Sequence, residues 1–210
     1  MSQIVAFKNQ HGIVLGSDSK AIDFDLKGEM VESQVERLIQ LTIHSAILTG
    51  GAREGSKMCH ALRDFVSQEG LDDIEDVYGA ALPFLATEYE RFMRVQCEVL
   101  PLDPIHHVHF ILAGYSEKKA EDPYRLYLIW TKKKLPQLDG DEISSAFTVP
   151  RSLRLEYRLN QFSKENTPLD QILPEIKKGL ERLADSQEEI GGPFSYAYIT
   201  AGGFQKMPLT

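Results

Sequence analysis

Cysteine is scarce in this chain. Cys59 and Cys97 are its only two, too few for a disulfide framework and in keeping with a reducing cytoplasm. Basic residues are also in short supply, 23 Lys and Arg against 31 Asp and Glu over 210 residues, leaving a net charge of −8. A nucleic-acid or anionic-membrane surface needs a basic footprint, so neither partner is expected. No apolar run approaches the length of a membrane-spanning helix. Met1 is followed at once by strand-like sequence, so no signal peptide is read. Repeats, low-complexity tracts and linker-like stretches are missing too, and residues 1–210 are expected to form a single domain. GGAREG at 50–55 lacks the Gly-Lys-Ser/Thr ending of a phosphate loop.

What is present is a clustered order of elements. IVAF and GIVLGS are apolar strands joined by the turn-like NQHG, and VERLIQL and HSAILT are two more. Between the pairs lies the polar stretch DFDLKGEM, expected as an irregular loop. Met58, Leu62, Phe65 and Val66 then fit one helical face, and a second helical region runs from Leu71 to about Cys97. Pro83 inside it predicts a kink or two shorter helices. Strands return in HVHFILAGY and RLYLIWT, and the Asp-Gly of KLPQLDGDEISSAFTV predicts a short hairpin. A helix over 152–162 is followed by one in which Thr167 caps, Pro168 opens and Leu169, Ile172, Leu173, Ile176, Leu180 and Leu183 form a stripe. FSYAYIT and FQKMP close the chain as strands.

Because strands cluster rather than alternate singly with helices, a doubly wound parallel sheet is disfavoured. The strands are apolar on both pleat faces, which calls for a sheet covered on each side. The expected fold is α+β, a four-layer α/β/β/α sandwich of two stacked antiparallel sheets flanked by helices.

The stretch IVAFKNQHGIVLGSDSKA resembles the opening of proteasome β-type subunits, members of the N-terminal-nucleophile hydrolase superfamily. ILTGGAREGSKM is similar to the family's strand-end Gly-Gly and first helix, FILAGYSEKKAEDPYRLYLI to its central hairpin, and IGGPFSYAYIT to its last strand region. The layout is similar to that of short bacterial relatives without a long propeptide, such as the Anbu group.

That resemblance implies threonine/serine-type peptidase chemistry, with Ser2 as the terminal nucleophile once Met1 is removed and its own α-amine as the base. A small second residue favours removal of the initiator methionine, so no self-cleaved propeptide is expected. Asp18 holds the position of the acid that orients a lysine, and the lysine's position falls on Arg37, which supplies charge but cannot shuttle a proton. Lys27 is a substitute to consider. Gly50 holds the place of the glycine whose N–H forms the oxyanion hole. Of the family's later polar positions, one falls on Arg151, beside Ser152, and two on Gln187 and Ile190; Asp185, Glu188 and Glu189 are near but out of register. The resemblance further implies self-association into a ring or helical oligomer acting on peptide or unfolded protein, with any ATPase partner unknown. The altered positions support a second reading, a degenerate proteasome-fold subunit with a structural or binding role.

His106, His107 and His109 lie close together, and His107 and His109 on one strand face would have a chelating spacing. No matching Cys, Asp or Glu is identifiable, so these histidines are expected to line a subunit surface or strand edge. Neither a cofactor nor a metal is expected. Cys59 and Cys97 read as helix-packing residues, and Lys132–Lys134 as a solvated turn.

Overall fold

The computed structural model describes residues 2–24, 30–97, 106–132 and 137–208, with the side chains of 23, 24, 96 and 97 outside that description. IVAFKN and GIVLGS form β1 (Ile4–Asn9) and β2 (Gly12–Ser17), paired antiparallel with Ile4 opposite Ser17. Alternation sends Ile4 and Ala6 to one face of β1 and Val5 and Phe7 to the other, and all four are fully buried. Both faces must therefore be covered.

The covering is four layers deep. One sheet has the order β10 (Ala146–Val149), β1, β2, β11 (Ser195–Thr200), β12 (Gly203–Lys206). The other runs β5 (Leu38–Gln40), β6 (Ser45–Gly51), β7 (Val108–Tyr115), β8 (Tyr124–Thr131), β9 (Leu138–Glu142). Every pairing in both is antiparallel. Ile4, Ala6, Leu15, Leu48, Ile111 and Ala197 pack between the sheets. Val5, Phe7 and Val14 meet Ile172, Ile176 and Leu180 of the helix layer made by α3 (Leu153–Lys164) and α4 (Leu169–Ser186). Ile47, Phe110 and Leu112 meet Leu62, Val66 and Leu85 of α1 (Glu54–Glu69) and α2 (Ile74–Cys97). At about 1.5–3 kcal/mol for each large apolar side chain buried, these three cores hold the layers in order. The sandwich expected from the sequence is the one formed.

Several elements differ from expectation. Lys20–Phe24 and Met30–Gln34 form a separate two-stranded hairpin, β3 and β4, where an irregular loop was expected from residue 23; residues 25–29 lie outside the description. Of VERLIQL only Leu38–Gln40 is strand. Pro83 neither splits nor ends α2, which is continuous from Ile74, and the helix starts later than Leu71 because Asp73 accepts the Glu75 N–H at 2.9 Å. Asp139-Gly140 is no turn. It runs inside β9, where a Cβ on Gly140 would stand 2.7 Å from the Tyr78 hydroxyl, so this glycine serves close approach of helix and sheet. The chain after β9 crosses to the other sheet as β10 instead of folding back. Thr167 does not cap α4; Pro168 occupies the cap position in extended backbone, without a side-chain hydrogen bond. No helix among the described residues is long and apolar enough to cross a membrane.

Candidate active site at the start of the first strand

Ser2 stands two residues before Ile4, so strand alternation turns its side chain toward the opposing sheet. Both sides of this terminus are held. The Gln3 N–H donates to Asp18 Oδ1 at 2.9 Å, Asp18 N–H donates to Gln3 O at 3.0 Å, and Gln3 Nε2 donates to Pro150 O at 3.1 Å beyond β10. Ser2 is left 3% exposed.

Across the gap, β6 ends in Gly50 and Gly51. The Gly51 N–H donates to Ser2 Oγ at 2.8 Å. Gly51 has φ +90°, and a Cβ there would fall 2.1 Å from the carbonyl oxygen of His107, so only glycine fits. Gly50 lies against the same serine, since a Cβ on it would stand 3.3 Å from Ser2 Oγ and 3.5 Å from Ile4 Cδ1. The amide directed at the hydroxyl in this structure is thus that of Gly51, the second glycine of Thr49-Gly50-Gly51.

Asp18 follows β2 and Arg37 precedes β5, and the two meet. Arg37 Nε is 3.1 Å from Asp18 Oδ1, an ion-pair contact without the alignment of a hydrogen bond, while Arg37 Nη2 donates to Lys20 O at 2.9 Å. Both side chains are buried. Burial pushes the Asp18 carboxyl up to about 6, outweighing the opposing pull of Arg37 and of the backbone N–H groups of Gln3 and Gly191. Burial likewise moves Arg37 below the ordinary arginine range, against the attraction of Asp18. Asp18 Oδ2 and the hydroxyls of Ser17, Ser19 and Ser33 are buried with no hydrogen-bond partner among the described residues. The polar content of this corner exceeds what packing needs.

The later positions go elsewhere. Arg151 Nε and Nη2 grip the buried carboxylate of Glu156, which also accepts the Thr148 N–H at 3.0 Å and hydroxyl at 2.7 Å. The Ser152 N–H donates to Thr148 Oγ1. Gln187 closes α4, Ile190 is buried as an apolar side chain, Asp185 and Glu188 are exposed, and Glu189 is half-buried. Lys27 lies outside the described residues. Lys20 Nζ pairs with Glu32 at 2.7 Å, and Lys8 Nζ with Asp122 at 2.7 Å.

β7 begins at Val108, so only His109 of the three histidines is on a strand; His106 is buried, its ring in an edge-to-face contact with Phe92. Among the described residues no three His, Cys, Asp or Glu side chains gather as a metal-holding group. Cys59 is buried in the α1 core, which pushes its thiol up; the Cys97 side chain lies outside the described residues, as do Lys133 and Lys134. Three clefts open at the surface: about 540 Å³ beside β5 and Phe204, about 390 Å³ at Lys118–Asp122, and about 330 Å³ between β9 and β10. Ser2 lines none of these three.

Two residues that hold this corner were not among the sequence candidates, Gly51 and Gln3. The Gly-Gly doublet signalled the first, but which amide meets the serine depends on strand register.

The chemistry available is that of a held hydroxyl accepting one backbone N–H, beside a buried Asp–Arg pair. With Met1 preceding it the Ser2 nitrogen is an amide; removal of Met1 would make it a basic amine.

No protein-family model matches the chain, and no curated protein matches it by sequence. Solved structures do. The chain is similar to Anbu (ancestral beta-subunit) from Yersinia bercovieri, with TM-score 0.67 and 14% identity over 97% of this chain and 86% of that one. It is also similar to the protein in the helical assembly of the Anbu complex from Pseudomonas aeruginosa, with TM-score 0.71 and 15% identity over 98% and 86%. The proteasome-like Anbu fold is therefore the fold of this chain.

Proposed function

We propose that the chain is a proteasome-like subunit of the N-terminal-nucleophile type, a peptidase or amidohydrolase in which Ser2 attacks a carbonyl. The observation that carries this reading is the Ser2 hydroxyl, seated just before β1 on the Gly51 N–H that ends β6 and beside the buried Asp18–Arg37 pair. In this reading Gly51, with Gly50 next to it, supplies the oxyanion-directed amide, Asp18 and Arg37 set the local field, and the amine freed by loss of Met1 accepts the proton. Self-association into a ring or helical stack belongs to the same reading, supported by the helical assembly of the Pseudomonas aeruginosa neighbour. The sparse cysteines support a cytoplasmic setting.

The test is intact mass, then labelling with a fluorophosphonate probe and peptide mapping of the adduct. The expected adduct is on Ser2, and Ser2→Ala abolishes it. An adduct that persists in Ser2→Ala moves the chemistry to another residue.

A second reading has its own observation. Arg37 stands where the family's lysine would, and Arg151 is spent on Glu156. In that reading the chain is a degenerate subunit with a structural or binding role, giving no adduct at a free Ser2 and assembling equally well as Ser2→Ala.

A further inference from the structure

The two main sheets end in four edge strands, β10 and β12 in one, β5 and β9 in the other. An edge strand turns the N–H and C=O of every second residue away from its own sheet, where another chain can pair with them. On three of the four edges such a donor is already taken. The outward Gly140 and Glu142 N–H groups of β9 donate to the carboxylates of Asp139 and Asp141 at 3.0 and 2.8 Å. The Thr148 N–H of β10 donates to the buried Glu156 at 3.0 Å, and the Phe204 N–H of β12 to Ile43 O at 2.7 Å.

β5 differs. The Thr49 N–H donates to Arg37 O and the Leu41 N–H to Ser45 O, so the bonded positions of the β5–β6 ladder are Arg37, Ile39 and Leu41. Leu38 and Gln40 lie between them and turn their main-chain groups outward. Among the described residues, neither N–H finds an acceptor and neither C=O a donor. This edge is recessed. Residues 38–43 and Glu36 line the cleft of about 540 Å³, and Arg63 of α1 with Phe204 and Lys206 of β12 completes the lining.

Those groups decide what fits. Two donors and two acceptors at strand spacing match the main chain of an extended peptide. A recessed edge admits one slender segment more readily than the edge of a second intact sheet. Arg63 and Lys206 against Glu36 leave the lining one positive charge in excess, within a chain of net charge −8. Lys206 pairs with Glu36 at 3.3 Å and Arg63 with its neighbour Asp64 at 2.9 Å, half-exposed pairs that can exchange partners at little cost. An acidic side chain on the incoming segment is thereby complemented, and the exposed Ile43 with Phe204 offers apolar contact.

We propose that β5 is a docking edge for an extended polypeptide segment carrying an acidic residue, which joins the second sheet as a further strand. Leu38 and Gln40 exchange main-chain hydrogen bonds with the segment, and Arg63 meets its carboxylate. The inference goes beyond the chemistry of Ser2 and does not depend on it, since Leu38, Gln40 and Arg63 take no part there.

The probe is a fluorescein-labelled peptide of alternating valine and threonine with a central glutamate, followed by fluorescence anisotropy. The full chain is used as Ser2→Ala, so that the peptide stays intact. The expected result is saturable binding, and none for the same peptide N-methylated at every residue, which has no main-chain donors. Gln40→Pro deletes one outward N–H and leaves the ladder to β6, which uses Ile39 and Leu41, in place. It is expected to weaken binding about tenfold. Equal binding by Gln40→Pro, equal binding of both peptides, or no binding at all overturns the docking edge and leaves fluorophosphonate labelling of Ser2 untouched. A dimer of the free chain that Gln40→Pro abolishes would give the edge to a second copy and also overturn it. Should Gln40→Pro not fold, amide hydrogen exchange decides: the peptide is expected to slow exchange at Leu38 and Gln40, and unchanged rates at both overturn the proposal.

Discussion

Asp18 and Arg37 carry opposite charges within contact distance, and attraction alone would lower the carboxyl. Burial wins instead, and Asp18 is pushed up to about 6. The sign for stability follows. A carboxyl that holds its proton more tightly in the folded state stabilises fully below its unfolded value near 3.8, and that contribution is lost as pH rises through about 6. The swing is about 3 kcal/mol. Asp18→Asn removes the titration, so this variant is expected to gain roughly 2 kcal/mol on the wild type between pH 4 and pH 7, read from urea unfolding at each pH. A variant that loses ground as pH rises would mean that the field of Arg37 dominates. A buried carboxylate kept at such a cost fits a site better than a packing role. Ser2, Asp18 and Arg37 were singled out in the sequence only through the resemblance of its opening stretch to proteasome β-type subunits, and the structure brings them into one corner. Which glycine amide would meet the serine was not legible, since it depends on the register between strands far apart in the chain.

At the scale of elements, the glycine of β9 shows how one residue sets the distance between layers. Gly140 faces the Tyr78 hydroxyl on α2, and Tyr78 is stacked on Tyr127 of β8 with ring centroids 3.8 Å apart and an interplanar angle of 8°. The tyrosine therefore has little freedom to swing away from an added methyl group. Gly140→Ala is expected to cost roughly 1–3 kcal/mol, and adding Tyr78→Phe to recover most of it, by thermal or urea unfolding of the double-mutant cycle. Additive costs would show that Gly140 answers some other constraint. The same contact explains why Asp-Gly misled as a turn signal: the glycine was required by a helix in another layer. The β3–β4 hairpin was hidden for a different reason. Met30, Val31 and Glu32 are exposed, and among its described side chains Ala21 is the only buried apolar one, so it shows no apolar period of two. The strands of the two main sheets were legible because both of their faces are buried, as Ile4, Val5, Ala6 and Phe7 illustrate.

At the scale of the molecule, the net charge of −8 bears on assembly. Copies of this chain repel one another at long range, and that repulsion is screened over about 10 Å at 0.1 M salt and about 30 Å at 0.01 M. If apolar and hydrogen-bonded contacts close the proposed ring or helical stack, salt should weaken the repulsion and leave those contacts largely intact. Light scattering coupled to size exclusion is therefore expected to show species at multiples of the 23.7 kDa chain mass, with the larger ones gaining at 0.5 M salt over 0.02 M. Assemblies that dissolve with added salt would place complementary charge at the contacts, and a monomer under all conditions would remove self-association from the proposed function. Ser2 is only 3% exposed in the single chain, so Ser2→Ala should leave the mass distribution unchanged while abolishing the covalent adduct. The two measurements together separate the proposed assembly from the proposed chemistry of Ser2.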